Sequence, residues 1–76
     1  MKHLVTHLAR GLVREPGRVR VHEHVEEERT VIELTVAPPD RGRVIGREGR
    51  TANAMRTLLD ALAARRAGTV SLEILD

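Results

Sequence analysis

Val44-Ile45-Gly46-Arg47-Glu48-Gly49-Arg50 sets two apolar residues against a G-x-x-G loop, and a helical pattern resumes immediately after it. Two glycines three apart let the main chain turn tightly and bring its N–H groups, unobstructed by any Cβ, against an anion such as a phosphate. Arg47 and Arg50 add positive charge at the same place. Four residues with two glycines are a weak motif by themselves, so the flanking pattern carries the argument. Upstream, Asp40-Arg41-Gly42-Arg43-Val44-Ile45 reads as a short helix after the Pro38-Pro39 breaker, and downstream Ala52, Met55, Leu58, Leu59 and Leu62 recur at helical spacing. The loop therefore joins two helices. The N-terminus of the second one, with its unpaired N–H groups, faces the loop and favours an anion there.

The charge distribution agrees. The formal net charge is only +2, but residues 41–66 carry Arg41, Arg43, Arg47, Arg50, Arg56, Arg65 and Arg66 against Glu48 and Asp60 alone. Residues 15–40 are net acidic. Local potential, more than total charge, governs capture of a polyanion, and such capture weakens steeply with salt. Twelve of the thirteen basic residues are arginine, whose planar fork grips phosphate oxygens bidentately and stacks on bases. The arginine bias and the near-absence of amide side chains fit GC-rich coding or heat adaptation. The chain has no Phe, Tyr or Trp, which removes the aromatic platforms on which RRM, OB and cold-shock modules hold bases.

Seventy-six residues suit one domain, near the size at which a core just suffices; such chains bury roughly 60% of their unfolded surface. Without cysteine there is no disulfide framework, and without a long apolar run there is no membrane span or signal peptide, so a cytoplasmic protein is expected.

Along the chain, Leu4, Leu8 and Leu12, supported by Val5 and Val13, predict a core-facing helix over 2–14, closed by Glu15-Pro16-Gly17. From Arg18 the period becomes two. Val19, Val21 and Val25 alternate with Arg20, His22 and His24, and Ile32, Leu34 and Val36 with Glu33 and Thr35, predicting two half-buried strands. Glu26-Glu27-Glu28-Arg29 between them lacks glycine, so a turn longer and looser than two residues is expected. The helix after the loop should run from near Arg50 to about Ala67, with Gly68 as its stop and Arg65 and Arg66 complementing its negative end. A last strand places Val70, Leu72 and Ile74 on one face. The result is one two-layer α+β domain with helices on one face of the sheet.

The order helix, strand, strand, helix, G-x-x-G, helix, strand resembles the type II KH fold (α-β-β-α-α-β). Val31 to Arg66 is similar to the small, single-domain bacterial KH proteins of the KhpA family. Beyond the loop, the likeness rests on Leu12-Val13 with Pro16 after it, Val36-Ala37-Pro38, Val44-Ile45-Gly46, Gly49-Arg50-Thr51-Ala52 and Leu72-Glu73-Ile74. The KH module is defined by a GXXG loop that clamps the backbone of about four nucleotides. The resemblance implies a three-stranded mixed sheet and a non-catalytic RNA-binding protein acting in post-transcriptional regulation or as an RNA chaperone. Gly46 and Gly49 would be the loop glycines, Arg47 and Arg50 its basic positions, and Val44 and Ile45 the aliphatic lining for bases. Arg43, Glu48 and Asn53 complete the expected contact set for single-stranded RNA, Glu48 being a departure because its carboxylate repels phosphate. The family likeness also implies dimers, either with itself or with a larger KH-containing partner linked to cell elongation and division. In that rival reading the arginines serve a protein interface.

Other chemistry finds little support. Thr51, His22 and Asp60 are unconnected in the sequence and make no nucleophile, base and pocket. Gly49-Arg50-Thr51 imitates the end of a P-loop, but Val44 stands at the first glycine position and Arg50 replaces the lysine. His3 and His7, four apart on the first helix, have a metal-ligand spacing without a third ligand, so a solvated helix edge is expected, and His22 and His24 are read the same way. No cofactor or metal is expected.

Overall fold

A computed structural model describes residues 1–66 and 68–75. Helix α1 (Lys2–Leu12) leads into strands β1 (Arg20–Glu26) and β2 (Arg29–Thr35), the short helix α2 (Arg41–Ile45), helix α3 (Arg50–Ala64) and strand β3 (Thr69–Ile74). The sheet order is β1-β2-β3, with β1 antiparallel and β3 parallel to β2. This is the mixed three-stranded sheet the likeness implied.

The alternation in β2 decides the layering. Ile32 and Leu34 are completely buried, and with Leu72 of β3 they meet Val5 and Ala9 of α1 and Met55 and Leu59 of α3 in one cluster. Both long helices therefore cover the same face of the sheet. On α1 the deepest residues are Val5 and Ala9, while the leucine stripe of 4, 8 and 12 is only half-buried against the cluster. The small Ala9 side chain lets the helix approach the sheet closely, and Leu8 and Leu12 border a groove shared with α3. Likewise Leu58, part of the helical stripe, is exposed rather than in the core.

Helix α1 stops two residues earlier than the sequence pattern predicts because Val13 is already extended (φ −98°, ψ 163°). The next two amides have a tertiary partner: Arg14 N–H and Glu15 N–H donate to the Asp40 carboxylate at 3.2 and 3.1 Å. Asp40 is 2% exposed, and Arg43 Nε approaches its Oδ1 at 3.7 Å. A buried carboxylate thus ties the end of α1 to the start of α2, and it makes no side-chain cap of its own helix.

The hairpin departs from expectation. Glu26 pairs with Arg29, leaving a two-residue turn of Glu27 and Glu28, with Glu27 at φ 56° in place of the usual glycine. At the strand ends Glu26 accepts hydrogen bonds from His24 Nε2 at 3.1 Å and, across the hairpin, from Arg29 Nη2 at 3.3 Å. The His24 contact, then that of Arg29, holds the Glu26 carboxyl below its ordinary pKa. Val25 lies 66% exposed at this open end. Helix α3 ends at Ala64, where the Gly68 N–H donates to the Ala63 carbonyl; the expected end at Ala67 lies outside the described residues.

Replacing Asp40 by alanine leaves two main-chain N–H groups without their acceptor, and the expected cost is about 2–3 kcal/mol. Urea unfolding of D40A should give a correspondingly lower midpoint with an unchanged slope.

Candidate nucleic-acid interface

The loop owes its shape to two glycines doing different work. Gly46 adopts φ 78°, ψ 170°, a region that side-chain-bearing residues essentially never occupy. A Cβ there would collide with the Thr51 side chain and come within 2.8 Å of the Thr51 main-chain nitrogen. Gly49 is left-handed (φ 77°, ψ 10°), with only Asn53 Nδ2, 3.7 Å away, facing the space a Cβ would take. Between them Glu48 is also left-handed (φ 58°, ψ 23°), a conformation that costs a non-glycine residue about 1–2 kcal/mol.

The glycines' own amides are used to fold the loop. Gly46 N–H donates to Gly42 C=O at 2.9 Å and Gly49 N–H to Gly46 C=O at 3.1 Å. The amides at the tip belong to Arg47 and Glu48. The Arg50 N–H donates to the Arg47 carbonyl, but among the described residues no side chain caps α3, so the N–H groups of its first turn beyond Arg50 have no capping partner. Arg47, Glu48 and Arg50 are exposed, and Gly46 and Gly49 half-exposed, so the loop is reachable from solvent.

The expected contact residues separate into distinct roles. Among the described residues the Arg47 side chain makes no ion pair, whereas Arg50 Nη2 lies 3.4 Å from Glu48 Oε2. Glu48 thereby offsets part of one arginine. Arg43 leans on Asp40. Ile45 is 40% exposed beside the loop, but Val44 is completely buried in the core cluster. The expectation that Val44 lines a groove is corrected. As the inward residue of a one-turn helix it anchors α2 from below and has no surface to offer.

The structure adds a groove that the sequence did not reveal. Asn53, one turn into α3, has its Oδ1 held by Arg56 Nη1 at 3.2 Å, which turns its Nδ2 toward Gly49. Arg56 in turn donates from Nη2 and Nε to the Leu72 carbonyl of β3 at 3.2 and 3.4 Å. A hydrogen-bonded path thus runs from the loop along α3 to the edge strand. There Arg56, Leu59, Asp60, Val70, Leu72 and Glu73 enclose a cleft of about 350 Å³ with polar walls and an aliphatic floor. The sequence shows Arg56 only as charge, because its partner is a carbonyl sixteen positions away.

The two glycines should respond unequally to substitution. G46A is expected to destabilise the protein by at least about 1 kcal/mol more than G49A, since only the former adds a steric clash to the backbone penalty. Urea unfolding of the two variants side by side measures the difference.

These features coincide with a known family. The family model for "KhpA/KhpB, KH domain" matches residues 2–74. The protein named RNA-binding protein KhpA in Halalkalibacterium halodurans is 47% identical over 76 residues, covering all of both chains. Proteins of the same name in Chlamydia pneumoniae and Clostridium perfringens are 43% and 44% identical, covering 100% and 99% of this chain and 97% and 100% of their own. No solved structure matches. With a matching model over nearly its whole length and relatives of equal size above 40% identity, the chain belongs to the KhpA/KhpB family of KH domains, which is non-catalytic.

Proposed function

We propose that this chain binds single-stranded RNA through the loop of residues 46–49, and that it acts in post-transcriptional regulation or as an RNA chaperone in the cytoplasm. The observation that carries the reading is the conjunction at one tip of the Arg47 and Glu48 amides, the start of α3 and the Arg47 guanidinium; among the described residues no side chain caps that helix start and no ion pair engages that guanidinium. Together they suit a phosphate approaching from solvent. The relatives named as RNA-binding proteins support the same ligand.

From the clamp, the strand would pass Ile45 and the Asn53 amide into the cleft between α3 and β3. Bases there meet Val70 and Leu72 and the polar rim of Arg56, with no ring to stack on. Aliphatic contact gives little selectivity, so base preference is expected to be weak. Glu48 limits affinity through its repulsion of phosphate and its hold on Arg50.

A second reading, pairing with another KH-domain chain, is favoured by one observation. An apolar groove of about 450 Å³ lies between α1 and α3, lined by Leu8, Leu12, Ala54, Met55 and the exposed Leu58. Two paired clamps would raise avidity through effective concentration. The family name spans KhpA and KhpB, which suits either a second copy or a larger KH-containing partner.

The double variant R47D/E48D should lose binding to a single-stranded RNA oligonucleotide in fluorescence anisotropy while its melting temperature stays within a few degrees of the parent's; unchanged RNA affinity would defeat the clamp. E48Q should bind about three- to fivefold more tightly, equivalent to roughly 0.7–1 kcal/mol, with affinity still falling as salt rises. For the pairing reading, L58D should lower the mass measured by sedimentation without weakening monomer binding to RNA.

A further inference from the structure

The helices leave the opposite face of the sheet open, and β1 and β2 arrange an unusual set of side chains on it. His22 and His24 are two apart on a strand, so both project from this face. Glu33 stands directly opposite His22 in the antiparallel register. One donor atom from each of the three lies within 4.8 Å of the others, and the two rings are 5.9 Å apart between centroids. We propose that His22, His24 and Glu33 form a binding site for a divalent transition-metal ion, Zn(II) being the best match.

Two imidazoles and one carboxylate are a donor set suited to late first-row ions, with remaining coordination positions open to water. Tetrahedral metal–ligand bonds of about 2.0–2.2 Å place the donors roughly 3.3–3.6 Å apart, so atoms that lie within 4.8 Å of one another draw together by up to about 1.5 Å through side-chain rotation. The backbone need not move, because all three residues belong to paired positions of one hairpin.

Two further observations favour a cation here. His24 Nε2 is hydrogen-bonded to Glu26 Oε1 at 3.1 Å, which orients the ring and leaves its Nδ1 as the ligand atom, in the manner of a carboxylate supporting a metal-bound histidine. Glu73 of β3 is the register partner of Glu33 on the same face, and carboxylates directly opposed across strands repel until a positive charge lies between them. Val31, the partner of His24, is 3% exposed and gives the cluster an apolar floor. His3 and His7 on α1 share none of these supports. The three ligands lie outside the loop and the cleft of the RNA reading, and the two sites share only Glu73 at their border.

The test is isothermal titration of ZnCl2 into the full chain, stripped with EDTA, in a buffer that does not coordinate metals. It uses an H3A/H7A background so that the helical pair contributes nothing. Binding of one ion per chain is expected, with H22A and E33Q each weakening it at least tenfold while circular dichroism shows the fold intact. Cobalt(II) in place of zinc should give visible absorption bands that disappear in the same two variants. Absence of binding in the H3A/H7A chain, or H22A and E33Q variants that titrate like it, would overturn the proposal.

Discussion

With no aromatic side chain to fill space, the fold depends on close contact between aliphatic layers, and the inner face of β2 is where that contact is made. Ile32 and Leu34 sit on the one strand paired along both edges, and on a single face they receive both α1 and α3. Small residues make the approach possible: Ala9 in α1 and Ala52 and Ala63 in α3 are all buried. The two long helices are thereby fixed in relation to each other, and the segment between β2 and α3, residues 36–49 with α2 inside it, must carry the chain from sheet to helix. Asp40 and Val44 hold that crossing, one by main-chain hydrogen bonds and the other by burial.

The loop is therefore a product of the fold as much as a motif. Gly46 is needed because the chain passes against the first turn of α3 too closely for any side chain, and Gly49 because the turn must reverse into that helix. Their amides are spent on this geometry, which transfers the anion-facing role to Arg47 and Glu48. The strain at Glu48 is located at the tip, where phosphate contact would be made.

Much of this was legible in the sequence because it is local. Periodicities of 3.6 and two gave the two long helices and the three strands, the prolines before Asp40 marked the short helix, and the glycine spacing with its arginines located the loop. What escaped detection depends on contacts distant in sequence. Nothing in the order of residues says that Asp40 would reach the amides of Arg14 and Glu15, that Arg56 would find the Leu72 carbonyl, or that Glu33 would face His22. The tight hairpin is not legible because Glu27 takes a conformation normally left to glycine, beside a Glu26–Arg29 ion pair across the strand ends. Val44 was misplaced because a five-residue helix is too short for its pattern to tell an inward side chain from an outward one.

Arg56 has one more effect. β3 is an outer strand, and an outer strand with unused main-chain groups invites another molecule's strand to join it. By covering the Leu72 carbonyl with a charged guanidinium, Arg56 blocks part of that ladder, so the side chain that walls the cleft also guards a very small protein against sheet-to-sheet aggregation.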